Sequence, residues 1–93
     1  MIKIINSGDF DLMYRQLIRE QSISADEISD IILQFKKNPD DARLLNHPLK
    51  RDMKGKWAFS ITDDIRVVYE WLGKTTVRFL AIGGHKKVYK RSQ

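Results

Sequence analysis

The chain of 93 residues contains no cysteine, which excludes a disulfide framework and any thiolate metal site and makes a reducing compartment the natural expectation. Histidine is nearly as scarce: His47 and His85 are the only two, too widely separated to suggest a metal motif. The phosphate-cradling GxxxxGK[ST] loop, the dinucleotide GxGxxG turn and the zinc-binding HExxH helix are all missing. Neither a metal nor a cofactor is therefore expected. No apolar run approaches a membrane span, and the start MIKIINSGDF lacks the long apolar core of a secretory signal. The expectation is a soluble cytoplasmic protein with no membrane partner. Five glycines and two prolines form no low-complexity tract, and no segment repeats.

What is present is enough for a folded core: 42% hydrophobic residues, among them two Trp, four Phe and three Tyr. Two cores of useful size would not fit into this length, so one domain over residues 1–93 is expected. The formal charge is +5, but it is unevenly distributed. Up to Ala42 the chain carries five Lys/Arg against eight Asp/Glu, net −3, and from Arg43 onward twelve against four, net +8. A positive field concentrated on the C-terminal part draws a polyanion or an acidic protein; the plainer explanation is a lysine-rich solvated surface.

Three isoleucines in Met1–Asn6 predict a short first strand, ended by the Ser7-Gly8-Asp9 turn. Phe10, Met13, Tyr14, Leu17 and Ile18 recur at helical spacing from about Asp9 to Glu20. Ser24 followed by Glu27 is a capping box that opens a second helix, whose buried face is Ile28, Ile31, Ile32 and Phe35. Asn38-Pro39 stops it, because the residue before proline is steered away from helical angles. Pro39–Lys56 has little periodicity apart from a short helical turn at Ala42, Leu44 and Leu45. Alternation then predicts strands at Trp57–Ile61, Ile65–Trp71 and Thr75–Ile82, with Gly83-Gly84 breaking the last. The fold class is α+β: two N-terminal helices packed as a hairpin on a small, mainly antiparallel sheet.

Chemistry without a nucleotide or metal is feasible on RNA, which supplies its own nucleophile. A protein need only align the 2'-hydroxyl with the adjacent phosphate, manage two protons and stabilise the extra phosphoryl charge. His85 follows two glycines at a strand end, where a bulky neighbour does not block it, and an ordinary imidazole suits proton transfer near neutrality. A surface histidine in a basic tail is the alternative. Arg66 interrupts an apolar strand, and its planar fork of donors suits a phosphate; it could equally pair with Glu70 on the same face. Lys50, Arg51, Lys54 and Lys56 make a basic loop, and Lys86 and Lys87 extend the charge beyond His85, all fitted to an RNA backbone. Tyr89 could stack on a base or close the core. His47 stands before Pro48, held either near a substrate or against backbone, and Asp63-Asp64 could supply a base or simply shape a turn.

Taken in order, LLNHPLKRDMKGKW, DDIRVVYEW and VRFLAIGGHKKVY resemble the bacterial RelE/ParE superfamily of type II toxins, most nearly its YafQ-like branch, from about Leu44 to Tyr89. The resemblance implies a RelE-like fold and an endoribonuclease that cuts mRNA in the ribosomal A site and is silenced by a cognate acidic antitoxin. By the same resemblance His85 is the chief proton donor, Tyr89 the aromatic that assists it, and His47 and Asp64 further site residues. Arg66 matches the arginine of the RelE pattern, and Lys50 and Lys54 its loop lysines. Two positions depart from the YafQ-like pattern: Ser60 stands where that branch has a site histidine and Ala58 where it has an acid, leaving Asp64 or His47 to accept a proton, or positive charge to carry the reaction as in the RelE branch. The alternatives are a ParE-like inhibitor that binds DNA gyrase without cutting phosphodiesters, and a non-catalytic basic RNA-binding protein.

Overall fold

The apolar stripe expected on the first helix is buried in the computed structural model, which describes residues 1–91 and the side chains up to Tyr89. Phe10, Met13 and Leu17 form the inner face of α1 (Gly8–Arg19), and Ile28 and Phe35 that of α2 (Ala25–Lys37). Each helix begins on a serine hydroxyl that accepts an orphan amide: Ser7 from Phe10 at 3.0 Å and Ser24 from Glu27 at 3.1 Å. Such a cap is worth about 1 kcal/mol. Asn38 ends α2 in an extended conformation, as the following proline demands.

The sheet has five strands: β1 (Lys3–Asn6), β2 (His47–Pro48), β3 (Trp57–Ser60), β4 (Ile65–Trp71) and β5 (Thr76–Gly84), in the order β1-β5-β4-β3-β2. β1 lies parallel to β5, and the other three pairings are antiparallel. With helices and a mainly antiparallel sheet sharing one core, this is the α+β class expected from the sequence. Phe35 stacks on Phe59 at 4.4 Å and meets Tyr69 edge-on at 5.1 Å, while Phe10 meets Phe79 at 5.3 Å. Pairs of this kind add roughly 0.5–1.5 kcal/mol each beyond their burial. They also orient the sheet: Phe59 faces α2, so by the two-residue alternation of a strand Ala58, Ser60 and their partners Val68 and Arg66 face away from it.

Three expectations are corrected. The last strand does not stop at Ile82 but pairs through Gly83 and Gly84, opposite Arg66 and Ile65. Glycine serves close approach there rather than a break: a Cβ on Gly84 would lie 3.2 Å from the Asp64 Oδ2, so the bare backbone lets that carboxylate sit against the strand. The basic tail turns into a further helix, α3 (His85–Arg91), anchored by the fully buried Val88. The loop before β3 contributes the two-residue β2, where Pro48 is tolerated because an edge strand need not donate outward. Glu70, a conceivable partner for Arg66, pairs instead with Arg78 at 3.4 Å.

The segment after α2 is fastened at two places. The Tyr69 hydroxyl donates to Asn46 Oδ1 at 2.7 Å, and Asn46 Nδ2 donates to the Pro39 carbonyl at 3.1 Å. Asp41 receives Arg43 through two guanidinium bonds and Gln34 through a third, and the Arg43 contacts hold its carboxyl well below the usual carboxylate range. Between them lies the short helical turn Ala42–Leu44, close to where the sequence places it. Among the described residues no helix is long and apolar enough to cross a membrane.

Candidate functional site

The turn from β3 to β4 is built on one hydroxyl. Thr62 Oγ1 accepts the amides of Ile65 at 3.0 Å and Asp64 at 3.3 Å, the arrangement by which Ser and Thr replace a backbone turn bond. The chain therefore enters β4 with Asp64 at the sheet end and Arg66 two residues in. Arg66 projects half-buried from the face turned away from α2, and its Nη1 donates to the Thr62 carbonyl at 2.6 Å. A longer contact from the same nitrogen reaches the Ile65 carbonyl at 3.5 Å. Among the described residues its Nε and Nη2 make no hydrogen bond, so the bidentate edge of the guanidinium is available to an anion.

On the neighbouring strand Arg66 is opposite Gly83, two residues before His85. His85 is the first residue of α3, exposed, with its backbone N–H donating to Asp64 Oδ1 at 3.3 Å. Its ring meets Tyr89 edge-on, centroids 4.7 Å apart at 85°. The spacing of four residues places both on one side of the helix, and the aromatic ring limits the directions the imidazole can take. Asp63, Asp64, Gly84, His85, Lys86 and Lys87 line an open cleft. Asp64, Gly84 and Lys87 also border a smaller cavity of about 260 Å³ that reaches in to Met13 and Leu17 of α1.

The fold thus gathers Asp64, Arg66, His85 and Tyr89, scattered over 26 positions of sequence, at one end of β4 and β5, with exposed Lys86 and Lys87 alongside. His47 is not brought to that corner. It is exposed on β2, its Nδ1 2.8 Å from the Leu45 carbonyl, paired with Ala58. Two strand spacings, roughly 10 Å, separate β2 from β4, and three, roughly 14 Å, separate it from β5. Lys50, Arg51, Lys54 and Lys56 surround a tight turn between β2 and β3, held by buried Met53, and so border the far side of the same sheet. Ser60, Arg66 and Gly83 form one cross-strand row, whereas Ala58 is fully buried. Thr62 is not singled out by the sequence alone. The signal available is a threonine two residues ahead of Asp64 in a turn, a pattern common for conformational reasons alone.

Sequence comparison matches no known family profile and no curated protein. Solved structures do match. YafQ from E. coli strain BL21(DE3) superposes with a TM-score of 0.79 at 20% identity, over 96% of this chain and 99% of that one. A YoeB/ParE toxin from Agrobacterium tumefaciens gives 0.73 at 26% identity, over 90% and 99%. The E. coli DinJ-YafQ complex gives 0.75 at 21%, over 96% and 99%. The fold is that of the RelE/ParE-like toxins. Near-complete coverage in both directions means that the RelE/ParE-like likeness extends through β1, α1 and α2, beyond the Leu44–Tyr89 stretches that resemble the family in sequence, and YafQ is among the structures that share it.

Proposed function

We propose that this chain is the toxin of a type II toxin-antitoxin pair and that it cleaves mRNA in the ribosomal A site. The observation that supports this most is the assembly of a histidine, an arginine with its bidentate edge unoccupied, an aromatic and a carboxylate at one sheet end. In this reading the RNA 2'-hydroxyl attacks the adjacent phosphorus and the bond to the 5'-oxygen breaks, leaving a 2',3'-cyclic phosphate. The His85 imidazolium gives its proton to the departing 5'-oxygen, and Asp64, at the same corner, takes the proton of the 2'-hydroxyl. Arg66 binds two phosphoryl oxygens through Nε and Nη2, strengthening as their charge grows. Tyr89 places the nucleotide, and Lys50, Arg51, Lys54, Lys56, Lys86 and Lys87 hold the RNA backbone. His47 contributes to binding along the sheet rather than to the proton transfers, because of its distance from the corner. An acidic antitoxin covering the positive C-terminal region would silence such a site; YafQ is found in complex with DinJ.

The test is single-turnover cleavage of ribosome-bound message at saturating protein across a pH series. His85→Ala is expected to lower the rate by roughly a hundredfold or more while leaving ribosome affinity nearly unchanged. A folded variant that keeps the wild-type rate and pH profile would remove His85 from the acid role. A wild-type protein that cuts no message but inhibits DNA gyrase would replace the ribonuclease reading with the ParE-like one.

A further inference from the structure

The two halves of the proposed machinery are carried by different elements, Arg66 by β4 and His85 by α3, and both are tied to the same four-residue turn. The turn's geometry depends on the Thr62 side chain, which takes two amides, while its main-chain N–H donates to the Ile65 carbonyl at 3.2 Å. From the backbone of that residue a carbonyl reaches out to Arg66 Nη1 at 2.6 Å. From the other end of the turn the Asp64 carboxylate reaches the first amide of α3 at 3.3 Å.

We infer that Thr62 is a positioning residue that sets the guanidinium of Arg66 and the imidazole of His85 relative to each other through one turn. The inference rests on the ribonuclease reading above and gives it a specific dependence. If the hydroxyl is removed, the Ile65 and Asp64 amides lose their acceptor and the turn can open. The Thr62 carbonyl then swings away from Nη1, and the guanidinium is no longer held with its Nε–Nη2 edge outward. Asp64 moves with the turn, so the tie to the start of α3 slackens as well. Neither Thr62 atom needs to touch RNA for this to matter: a displacement of about 1 Å in reacting groups can cost on the order of a hundredfold in rate. Serine carries the same hydroxyl and can make the same two bonds, whereas valine keeps the shape of threonine without the acceptor.

Thr62→Val and Thr62→Ser should be compared with wild type on ribosome-bound message, at saturating protein, with ribosome affinity and thermal midpoint measured alongside. Thr62→Val is expected to lower the single-turnover rate roughly 10- to 100-fold with affinity and folding largely retained, and Thr62→Ser to stay near the wild-type rate. A purely structural role would show instead as equal losses in both variants or as a loss that follows the thermal midpoint. Backbone and guanidinium NMR provides a readout independent of activity: in Thr62→Val the His85 amide and the Arg66 Nε signals should both shift and the His85 amide exchange faster. Unchanged signals at both positions, or a folded Thr62→Val protein at the wild-type rate, would overturn the inference. An inactive wild-type protein would overturn the ribonuclease reading instead, and the NMR comparison would still decide whether Thr62 couples the two side chains.

Discussion

Tyr69 is a core residue with one polar atom to satisfy. Its side chain is fully buried among Phe35, Phe59 and Phe79, and its hydroxyl is satisfied by Asn46 at 2.7 Å. Burial disfavours the phenolate and pushes the ionisation up to about 12 from the ordinary 10. The neutral form is thus favoured by the fold, and the resulting stability is complete below pH 10, where the unfolded chain is also protonated. Between pH 10 and 12 the unfolded chain gives up this proton and the folded one keeps it, so stability falls as pH rises, by on the order of 2 kcal/mol over the window. Chemical denaturation at stepped alkaline pH should show this loss, and Tyr69→Phe should flatten the slope while lowering stability near neutrality by about 1 kcal/mol, because Asn46 Oδ1 loses its donor. An identical slope in the two proteins would assign the alkaline loss to other groups.

At the scale of elements, periodicity makes a segment legible in the sequence, and dependence on a distant partner hides it. Phe10, Met13 and Leu17 at helical spacing and Trp57–Ser60 in alternation need only themselves to be recognised, and both elements form. α3 is hidden because Lys86 and Lys87 make the segment resemble a charged tail, and Val88 is its only fully buried residue among those described. β2 is too short for any period. His85 and Arg66 stand out individually by residue type and placement. Their common dependence on the Thr62 turn does not, because it consists in part of a hydrogen bond between segments about twenty residues apart. Gly83-Gly84 is the clearest case: two glycines normally end a strand, and here β4 supplies partners for both. Gly84→Ala separates folding from activity. Alanine suits a strand better than glycine by roughly 0.5–1 kcal/mol, and its methyl would press on Asp64 Oδ2 at 3.2 Å, a contact an exposed carboxylate relieves by moving a few tenths of an ångström. The thermal midpoint is expected to hold or rise while single-turnover cleavage drops about tenfold as Asp64 leaves His85. A variant equal to wild type in both would show that the position of Asp64 is not critical.

Across the whole molecule the charge tracks the fold. The segment that builds β1, α1 and α2 is net −3, and the segment that builds most of the sheet, the basic loop and α3 is net +8. One end of the protein is therefore drawn toward a polyanion and the helical layer is not, an asymmetry that favours productive orientation as well as attraction. The six basic residues proposed to hold the RNA backbone fall into two groups on opposite sides of the sheet: Lys86 and Lys87 beside His85, and Lys50, Arg51, Lys54 and Lys56 around the turn before β3. The separation implies different duties. Lys50 is exposed and lies just beyond β2, roughly two to three strand spacings from the proposed chemistry, so its contribution should be one backbone charge contact and nothing in the transition state. Lys50→Ala is accordingly expected to weaken binding to ribosome-bound message, to reduce the slope of log affinity against log salt by roughly one, and to leave the single-turnover rate at saturation unchanged. His85→Ala is expected to do the reverse, with affinity and salt slope intact and the rate lost. Titrating both variants and wild type at several salt concentrations, then measuring cleavage at saturation, distinguishes the two roles in one series. A Lys50→Ala protein with the wild-type salt slope would place the RNA away from the β2–β3 loop and confine its contacts to the α3 end of the sheet.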